Sequence, residues 1–343
     1  MDKDICQRAF SEIEIGSDGN VHTCCPNYLK NYPIGNIFNV SSFDEIWYSD
    51  KAIELRKHIL NNNYDFCNTE ICNKKINEED IKLTERPDYP TLVRFAYDTQ
   101  CNLKCKICRD SLIFNSEKQI EKYDNMIDTI LLPILKNAKI MSLTSSGEIT
   151  ASEHSQRLLK KAAELYPNLK FELLTNAFLF NEKFCNKIGI TEKIDRIVIS
   201  MHGMTKNTYE SIMRGANFET AKQNIEWILS LKNQRKINEV SIVFVVSSLN
   251  YKDLPKFVEF CKNNNASPII WEYRKLNNTE MSKLFDKYAV WNKKHPEYNN
   301  FVKILNEIEK EDNNFVRMPE LFQNLKPISK YEAFKIKLQS LFK

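Results

Sequence analysis

The chain changes its hydrophobic pattern at about residue 91. From there, short runs rich in Val and Ile alternate with longer segments in which apolar side chains recur at helical spacing. Continuous apolar runs separated by helices are typical of a parallel sheet built from βαβ units. Six such runs predict an α/β fold, a partial (β/α)6 TIM-type barrel, with an open doubly wound sheet as the alternative. The predicted strands span 91–97, 139–145, 170–176, 195–202, 240–246 and 268–273.

The first 88 residues follow a different pattern. Polar and apolar positions alternate over 11–25 around Asp18-Gly19, which predicts a β-hairpin. A capping box from Ser42 to Glu45 predicts the start of a short helix. A segment this small and irregular has little apolar core, so a bound cluster would explain its stability. The predicted domains are a small cluster-binding domain over 1–88, the partial barrel over 89–279 and a polar, helical C-terminal extension over 280–343.

Composition narrows the class of protein. The chain has 343 residues, of which 42% are hydrophobic and 27% charged, as in soluble globular proteins. Its net charge is +4 and acidic residues interrupt nearly every basic run, so we predict no nucleic-acid partner. The first ten residues lack the apolar segment of a signal peptide. The most apolar helical stretch, 127–140, is too short to span a bilayer and contains Pro133, so we expect a cytoplasmic protein without a transmembrane segment.

The ten cysteines favour metal or cluster binding over disulfides, because thiols stay reduced in the cytoplasm. Cys101, Cys105 and Cys108 form a C-x3-C-x2-C motif after the first predicted strand, and the next cysteine is Cys185. Closed zinc sites and fully ligated clusters have four protein ligands, whereas three leave an open position, as catalytic metal sites do. A zinc knuckle with a distant fourth ligand is the alternative. Cys185 and Cys261 lie in helical segments and are predicted to be small core residues.

Small or polar residues also follow the next predicted strands. Gly147 and Glu148 follow the second strand, Thr175 and Asn176 end the third, and Ser200 lies near the end of the fourth. The carboxyl ends of parallel strands share one edge, where β/α barrels place their chemistry. The sequence therefore predicts one site built from these residues and the three cysteines.

A three-cysteine motif after the first strand of a six-unit β/α barrel resembles the radical S-adenosylmethionine (radical SAM) superfamily. The resemblance covers about residues 91–275. It implies that Cys101, Cys105 and Cys108 hold a 4Fe-4S cluster whose open iron binds SAM. In this family, reductive cleavage of SAM releases a 5′-deoxyadenosyl radical that takes a hydrogen atom from the substrate. The cofactor carries the chemistry, and the protein positions it and excludes water.

The resemblance implies further contacts at the second strand end. Gly147 and Glu148 are similar to the family's Gly-Gly-Glu stretch, which holds the methionine amino group, and Ser146 replaces the first glycine. Ile107 stands where the family usually has an aromatic side chain against adenine. Glu148 is thus expected to bind the cofactor, with a solvated loop carboxylate as the alternative.

Contacts are implied at the third and fourth strand ends as well. Thr175-Asn176 resembles the family's Thr-Asn-Gly, with Ala177 in place of the glycine. Ser200 and Arg214 resemble the family's polar contacts to ribose and carboxylate. Serines at strand ends and arginines on helices are also common for structural reasons, which is the alternative for both residues.

The N-terminal cysteines resemble an auxiliary cluster domain of the SPASM or twitch type, which usually follows the barrel and here precedes it. The step from Gly19 to Cys24 matches that domain's Gly-x4-Cys spacing. The resemblance implies a second, closed 4Fe-4S cluster that transfers electrons. Its ligands would be Cys6, Cys24, Cys67 and Cys72, with Cys25 as the rival to Cys24. Structural zinc bound by four thiolates is the alternative.

Together the two resemblances imply an enzyme that cleaves SAM and abstracts a substrate hydrogen atom. The auxiliary cluster would assist oxidation, epimerisation or crosslinking of a peptide or a sugar-like small molecule, with an electron donor such as flavodoxin or ferredoxin. Epimerisation needs a thiol that returns a hydrogen atom, and the spare cysteines are Cys25, Cys185 and Cys261. The alternative is a non-catalytic iron–sulfur or zinc protein that acts as a scaffold or sensor.

Overall fold

A computed structural model describes residues 5–69, 72, 81–143, 146–275, 279–311, 315–329, 331, 332 and 335. The chain forms two compact units. The first comprises Met1–Cys101, Ile113–Leu174 and Lys183–Asp195, and the second comprises Asn102–Leu112, Thr175–Glu182 and Arg196–Lys343.

The first unit contains strands hydrogen-bonded in the order β3-β2-β1-β4-β5-β6. Its strands are β1 (Glu12–Ile15), β2 (Asn20–His22), β3 (Gly35–Asn36), β4 (Leu92–Phe95), β5 (Ile140–Leu143) and β6 (Lys170–Thr175). The pairs β1–β2 and β2–β3 are antiparallel, and the pairs β1–β4, β4–β5 and β5–β6 are parallel. Its helices are α1 (Arg8–Ser11), α2 (Asp44–Trp47), α3 (Asp50–Leu60), α4 (Glu117–Met126), α5 (Leu132–Ile134), α6 (Glu153–Leu165) and α7 (Glu182–Ile188).

The predicted N-terminal hairpin is confirmed as β1 and β2. Its turn needs a glycine, because Gly19 has φ +81° and a Cβ there would lie 2.3 Å from the Phe38 ring. The Asp18 carboxylate accepts a hydrogen bond from the Asn20 backbone N–H at 3.0 Å. The hairpin also extends the parallel sheet, because β1 pairs with β4 from Glu12–Leu92 to Ile15–Phe95. The sequence pattern did not predict this pairing.

The second unit contains three parallel strands in the order β7-β8-β9. They are β7 (Ile194–Ser200), β8 (Glu239–Val246) and β9 (Ser267–Glu272). The helices are α8 (Lys206–Ile212), α9 (Phe218–Asn233), α10 (Leu254–Asn263), α11 (Glu280–Lys283), α12 (Phe285–Tyr288), α13 (Tyr298–Glu311) and α14 (Glu320–Gln323). All strand residues of β8 except two are buried, as expected for a strand covered on both faces.

All six strands predicted after residue 90 are present, and each pair recorded among them is parallel. The mixed α/β fold with a parallel sheet is therefore confirmed. Residues 144–145, at the end of the second predicted strand, and most of the basic C-terminal segment lie outside the described residues. The domain boundaries at residues 88 and 279 stay predictions. No helix within the described ranges is long and apolar enough to cross a membrane.

Candidate iron–sulfur and SAM site

The chain from β4 to Cys101 is fixed by a buried carboxylate. Asp98 is only 4% exposed and lies three residues after β4. Its oxygens accept hydrogen bonds from Gln100 N (3.1 Å), Asn115 Nδ2 (2.9 Å), Ser155 Oγ (2.8 Å) and the Ser152 hydroxyl. Four donors stabilise the buried charge and hold the turn that precedes Cys101. The sequence analysis did not single out Asp98. An Asp side chain that accepts a hydrogen bond from the backbone N–H two residues later is a common turn feature, and this was the available signal.

Gly147 and Glu148 pack against this same turn. A Cβ on Gly147 would lie 2.6 Å from the carbonyl oxygens of Asp98 and Gln100, so only glycine fits. The Glu148 N–H donates to the Gln100 carbonyl at 2.8 Å. The Glu148 side chain is 1% exposed, and its Oε1 accepts hydrogen bonds from the N–H (3.3 Å) and hydroxyl (3.0 Å) of Thr150. A buried carboxylate therefore lies on the segment that contacts the residues before Cys101.

In the second unit, Cys105 and Cys108 share a tight turn. The backbone N–H groups of Cys108 and Arg109 both donate to the Cys105 carbonyl at 2.9 Å. The Arg109 Nε and Nη2 atoms lie 3.4 Å from the Cys108 sulfur. The turn thus places a guanidinium group beside the sulfur atom of a predicted cluster ligand.

Arg214 clamps the second unit's part of the cysteine loop. Its Nε donates to the Lys104 carbonyl at 3.0 Å and its Nη2 to the Arg109 carbonyl at 3.4 Å. Asp110 lies 3.8 Å from the same guanidinium, and the Lys104 N–H donates to the Arg214 carbonyl at 3.1 Å. The structure thus gives Arg214 contacts with the loop, and its contact with SAM stays a prediction.

Thr175 and Asn176 form a turn held by side-chain hydrogen bonds. The Thr175 hydroxyl accepts from the Ala177 N–H at 3.0 Å, and Asn176 Nδ2 donates to Asn102 Oδ1 at 2.9 Å. Asn224 Nδ2 lies 2.9 Å from the carbonyls of Ala177 and Phe178. Ala177 has φ +59°, a left-handed conformation that favours glycine. The turn therefore holds an alanine in a conformation that glycine adopts more readily.

Two further predicted contact positions are less defined. Ser200 is the last residue of β7, is half-buried and pairs with Val243. Ile107 is buried. Their contacts with SAM stay predictions.

The predicted auxiliary ligands influence one another electrostatically. Burial and then the charges of Cys6 and Cys67 raise the pKa of Cys24. Burial and then the charges of Cys6 and Cys72 raise the pKa of Cys67 to about 11. The Tyr64 hydroxyl accepts a hydrogen bond from the Cys6 N–H at 3.3 Å, and the Tyr64 carbonyl accepts one from the Cys67 N–H at 2.8 Å. Each of these four thiols therefore interacts electrostatically with at least one other member of the set.

Cys25 lies in a different environment from Cys24. Burial is the largest cause of its raised pKa, and the charges that act on it belong to Glu14, Arg94 and Arg8. Cys24 is buried, whereas Cys25 is half-buried. The geometry thus favours Cys24 as the fourth neighbour of the set.

Cys185 and Cys261 lie inside helices α7 and α10 and are 0% exposed. Burial raises the pKa of each thiol to about 12. The prediction that they are small core residues is confirmed.

The donor chemistry fits the implied cofactors. Thiolates are the protein ligands of 4Fe-4S clusters, and a buried carboxylate suits the ammonium group of an amino acid. By donor type alone, three cysteines suit a cluster with one open position, Glu148 suits the ammonium group of SAM, and four cysteines suit a closed cluster. Among the described residues, no three Cys, His, Asp or Glu side chains are arranged as a ready metal site.

Comparisons with known proteins identify two families along this chain. The model of the radical SAM superfamily matches residues 99–261. The model of an iron–sulfur cluster-binding domain, SPASM, matches residues 6–74, so this domain precedes the radical SAM region.

The chain is 24% identical over 191 residues to a probable GTP 3′,8-cyclase of Methanocaldococcus jannaschii, which covers 53% of this chain and 58% of the relative. It is 23% identical over 192 residues to the GTP 3′,8-cyclase of Petrotoga mobilis, covering 55% and 57%. The chain therefore spans less than two thirds of the length of these relatives. Streptococcus suis SuiB bound to the precursor peptide SuiA is 14% identical, with 93% of this chain and 76% of SuiB covered and a TM-score of 0.49.

The three cysteines, Glu148 and strands β5 to β8 all lie within the residues that the radical SAM model matches. The chain therefore contains a radical SAM domain, with a SPASM domain before it. Its cofactors are a SAM-binding 4Fe-4S cluster, SAM and an auxiliary iron–sulfur cluster. Because this superfamily consists of enzymes, the alternative of a non-catalytic scaffold is set aside.

Proposed function

We propose that this enzyme abstracts a hydrogen atom from a small-molecule or peptide substrate and completes an oxidation with its auxiliary cluster. When bound, the SAM-binding cluster supplies the electron that cleaves SAM to the 5′-deoxyadenosyl radical, and the auxiliary cluster supplies an acceptor for an electron from the substrate. Cys101, Cys105 and Cys108 would hold the first cluster, and Cys6, Cys24, Cys67 and Cys72 the second.

One observation carries the proposal: Glu148 is a buried carboxylate fixed to the turn that leads to Cys101. Its backbone N–H donates to Gln100 and its side chain is 1% exposed. Burying a carboxylate costs free energy unless a donor or cation compensates it. The methionine ammonium group of SAM is a cation of the right kind, so Glu148 would bind and orient SAM beside the cysteine loop.

Oxidation is favoured over epimerisation by the placement of the spare thiols. A thiol that returns a hydrogen atom must reach the substrate radical. Cys185 and Cys261 are fully buried within helices, which leaves Cys25 as the accessible candidate. A Cys25→Ala variant that still forms product would support oxidation or crosslinking, whereas one that cleaves SAM without forming product would identify Cys25 as the donor and contradict the proposal.

The substrate would be found by testing chemical classes. The two curated relatives are GTP cyclases by name, so GTP joins peptides and sugar-like alcohols as a substrate to assay. An electron donor of the flavodoxin or ferredoxin kind would serve as the reductant in place of the chemical reductant dithionite. A true substrate is expected to raise the rate of 5′-deoxyadenosine formation. It should also transfer a hydrogen atom to the 5′-deoxyadenosyl group, so a deuterated substrate should give deuterated 5′-deoxyadenosine in mass spectrometry.

The first experiment uses anaerobically reconstituted full-length protein. About eight irons per chain, the content of two 4Fe-4S clusters, and release of 5′-deoxyadenosine with SAM and dithionite are expected. Cys105→Ala should abolish SAM cleavage and leave about four irons. Cys185→Ser is the matched control, because it removes a buried thiol of α7 and should retain both clusters. Unchanged SAM cleavage in Cys105→Ala would contradict the ligand assignment.

A further inference from the structure

Arg8 has a buried donor that the protein itself does not satisfy. The residue begins α1, two positions after Cys6. Its side chain is 12% exposed, and its Nη1 lies 3.5 Å from the Glu12 carboxylate. Its Nε is buried and has no hydrogen-bond partner within the described ranges. A buried N–H without an acceptor costs about 1–3 kcal/mol, so an acceptor is expected at this position.

Arg8 interacts with two cysteines of the auxiliary set. The Arg8 backbone N–H donates a hydrogen bond to the Cys6 thiol, which opposes the effect of burial on the pKa of that group. The positive charge of Arg8 also opposes the effect of burial on the pKa of Cys24. Arg8 thus lies close to two of the four proposed ligands.

The charge of Arg8 is only partly neutralised by its own ion pair. Two arginines share the Glu12 carboxylate. The distance to Glu12 Oε2 is 3.5 Å from Arg8 Nη1 and 2.9 Å from Arg94 Nη1. The closer pair is therefore Glu12 with Arg94. This leaves the Arg8 guanidinium available to a second negative group.

We propose that the Arg8 Nε–H donates a hydrogen bond to a sulfur atom of the auxiliary cluster and raises its reduction potential. Hydrogen bonds to cluster sulfurs and nearby positive charge stabilise the more negative, reduced state. Arg8 would be a positioning residue that makes this cluster a better electron acceptor. The inference rests on the ligand set proposed above, and iron content tests that set separately.

The test measures the reduction potential of the auxiliary cluster alone. In full-length protein with Cys101→Ala, Cys105→Ala and Cys108→Ala, about four irons per chain are expected from the auxiliary site. Adding Arg8→Gln should shift the reduction equilibrium at least tenfold toward the oxidised cluster, which is about 59 mV for one electron. Arg86→Gln is the control, because it removes an exposed arginine of the same unit. An Arg8→Gln potential equal to that of Arg86→Gln would overturn the proposal.

A spectroscopic measurement on the unchanged Arg8 keeps the test independent of folding. With arginine labelled by 15N, the reduced cluster should show a 15N hyperfine coupling in pulsed electron paramagnetic resonance. Arg8→Lys should remove this coupling, because lysine keeps the charge and lacks the Nε–H. Absence of the coupling in the protein with Arg8 would contradict the hydrogen bond. Iron near zero in that protein would instead refute the ligand set.

Discussion

Glu148 places a carboxylate group in a buried position of the first unit. The side chain is 1% exposed, and Thr150 donates two hydrogen bonds to its Oε1. Neutral donors compensate a buried charge less well than a cation does. A buried carboxylate is the kind of group that binds an ammonium ion, so we expect its removal to weaken SAM binding.

We predict that Glu148→Gln lowers SAM binding and 5′-deoxyadenosine formation by at least tenfold while both clusters stay loaded. A hydrogen bond to a charged group contributes about 1.5–3 kcal/mol, which corresponds to this factor. Equilibrium binding of SAM and product release measure the effect. Glu153→Gln is the control, because its side chain on α6 is 80% exposed. Equal activities of the two variants would remove Glu148 from the site.

Ala177 shows how the turn after β6 tolerates a change from glycine. It has φ +59°, and a left-handed conformation costs an L-residue roughly 1–2 kcal/mol. We predict that Ala177→Gly changes the free energy of unfolding by less than about 1 kcal/mol, since the relieved strain offsets the lost methyl group. Ala221→Gly, equally buried inside α9, should lose about 1–2 kcal/mol. Denaturant unfolding measures both, and equal losses would argue against strain at Ala177.

At the scale of elements, the cysteine loop depends on the segment that follows α8. Arg214 forms hydrogen bonds with this loop through its backbone carbonyl and its guanidinium group. Its partners are the backbone groups of Lys104 and Arg109. The Lys106 N–H also donates to the Ile212 carbonyl at 2.9 Å. The loop that carries Cys105 and Cys108 is thus held by contacts remote in sequence.

We predict that Arg214→Gln lowers the iron content of the SAM-binding cluster and reduces 5′-deoxyadenosine formation at least tenfold. Two hydrogen bonds from a charged donor are lost, each contributing about 1.5–3 kcal/mol. Arg214→Lys should lower iron content and SAM cleavage nearly as much. A lysine ammonium group is a compact charge and lacks the planar set of N–H donors with which the guanidinium group binds both carbonyls. Iron analysis and SAM cleavage measure the effect. Arg157→Gln is the control in the first unit, where Arg157 pairs with Asp124 at 2.6 Å. Full iron content in Arg214→Gln would show that the loop holds its shape without this clamp.

The elements that the sequence predicted are those with a local signal. Apolar runs placed six parallel strands, and Asp18-Gly19 placed the hairpin turn, because strand burial and turn geometry depend on neighbours in sequence. The pairing of β1 with β4 joins residues about 80 positions apart, such as Glu12 and Leu92. No periodicity encodes such a partner, so this pairing emerged only from the structure.

Side-chain contacts of the site were predictable only where a motif fixes them. The cysteine spacing and Glu148 stand in recognisable positions. Asp98 and Arg8 act through burial and through donors from distant segments, which the sequence does not display. For Arg214 the structure shows contacts with the cysteine loop, and its contact with SAM stays a prediction.

At the scale of the whole molecule, the order of the two cofactor regions matters. The SPASM match at 6–74 precedes the radical SAM match at 99–261, and β1 of the former pairs with β4 beside the latter. The N-terminal cysteines and the turn before Cys101 therefore belong to one compact unit. Loss of the auxiliary cluster should consequently be felt in the stability of this unit as well as in its electron transfer.

We predict that Cys24→Ala lowers the iron content from about eight to about four per chain, whereas Cys25→Ala retains about eight. The reason is that two other thiols of the proposed set, Cys6 and Cys67, act on the pKa of Cys24. The charges that act on Cys25 are those of Glu14, Arg94 and Arg8, and Arg8 acts on both thiols. Iron analysis and Mössbauer spectra measure the loss. Cys24→Ala should also lower the thermal unfolding midpoint, since a ligand bound only to the folded state stabilises it. Retention of about eight irons in Cys24→Ala, together with loss of iron in Cys25→Ala, would exchange the two roles. About one zinc ion per chain in place of the auxiliary iron would instead identify a structural zinc site.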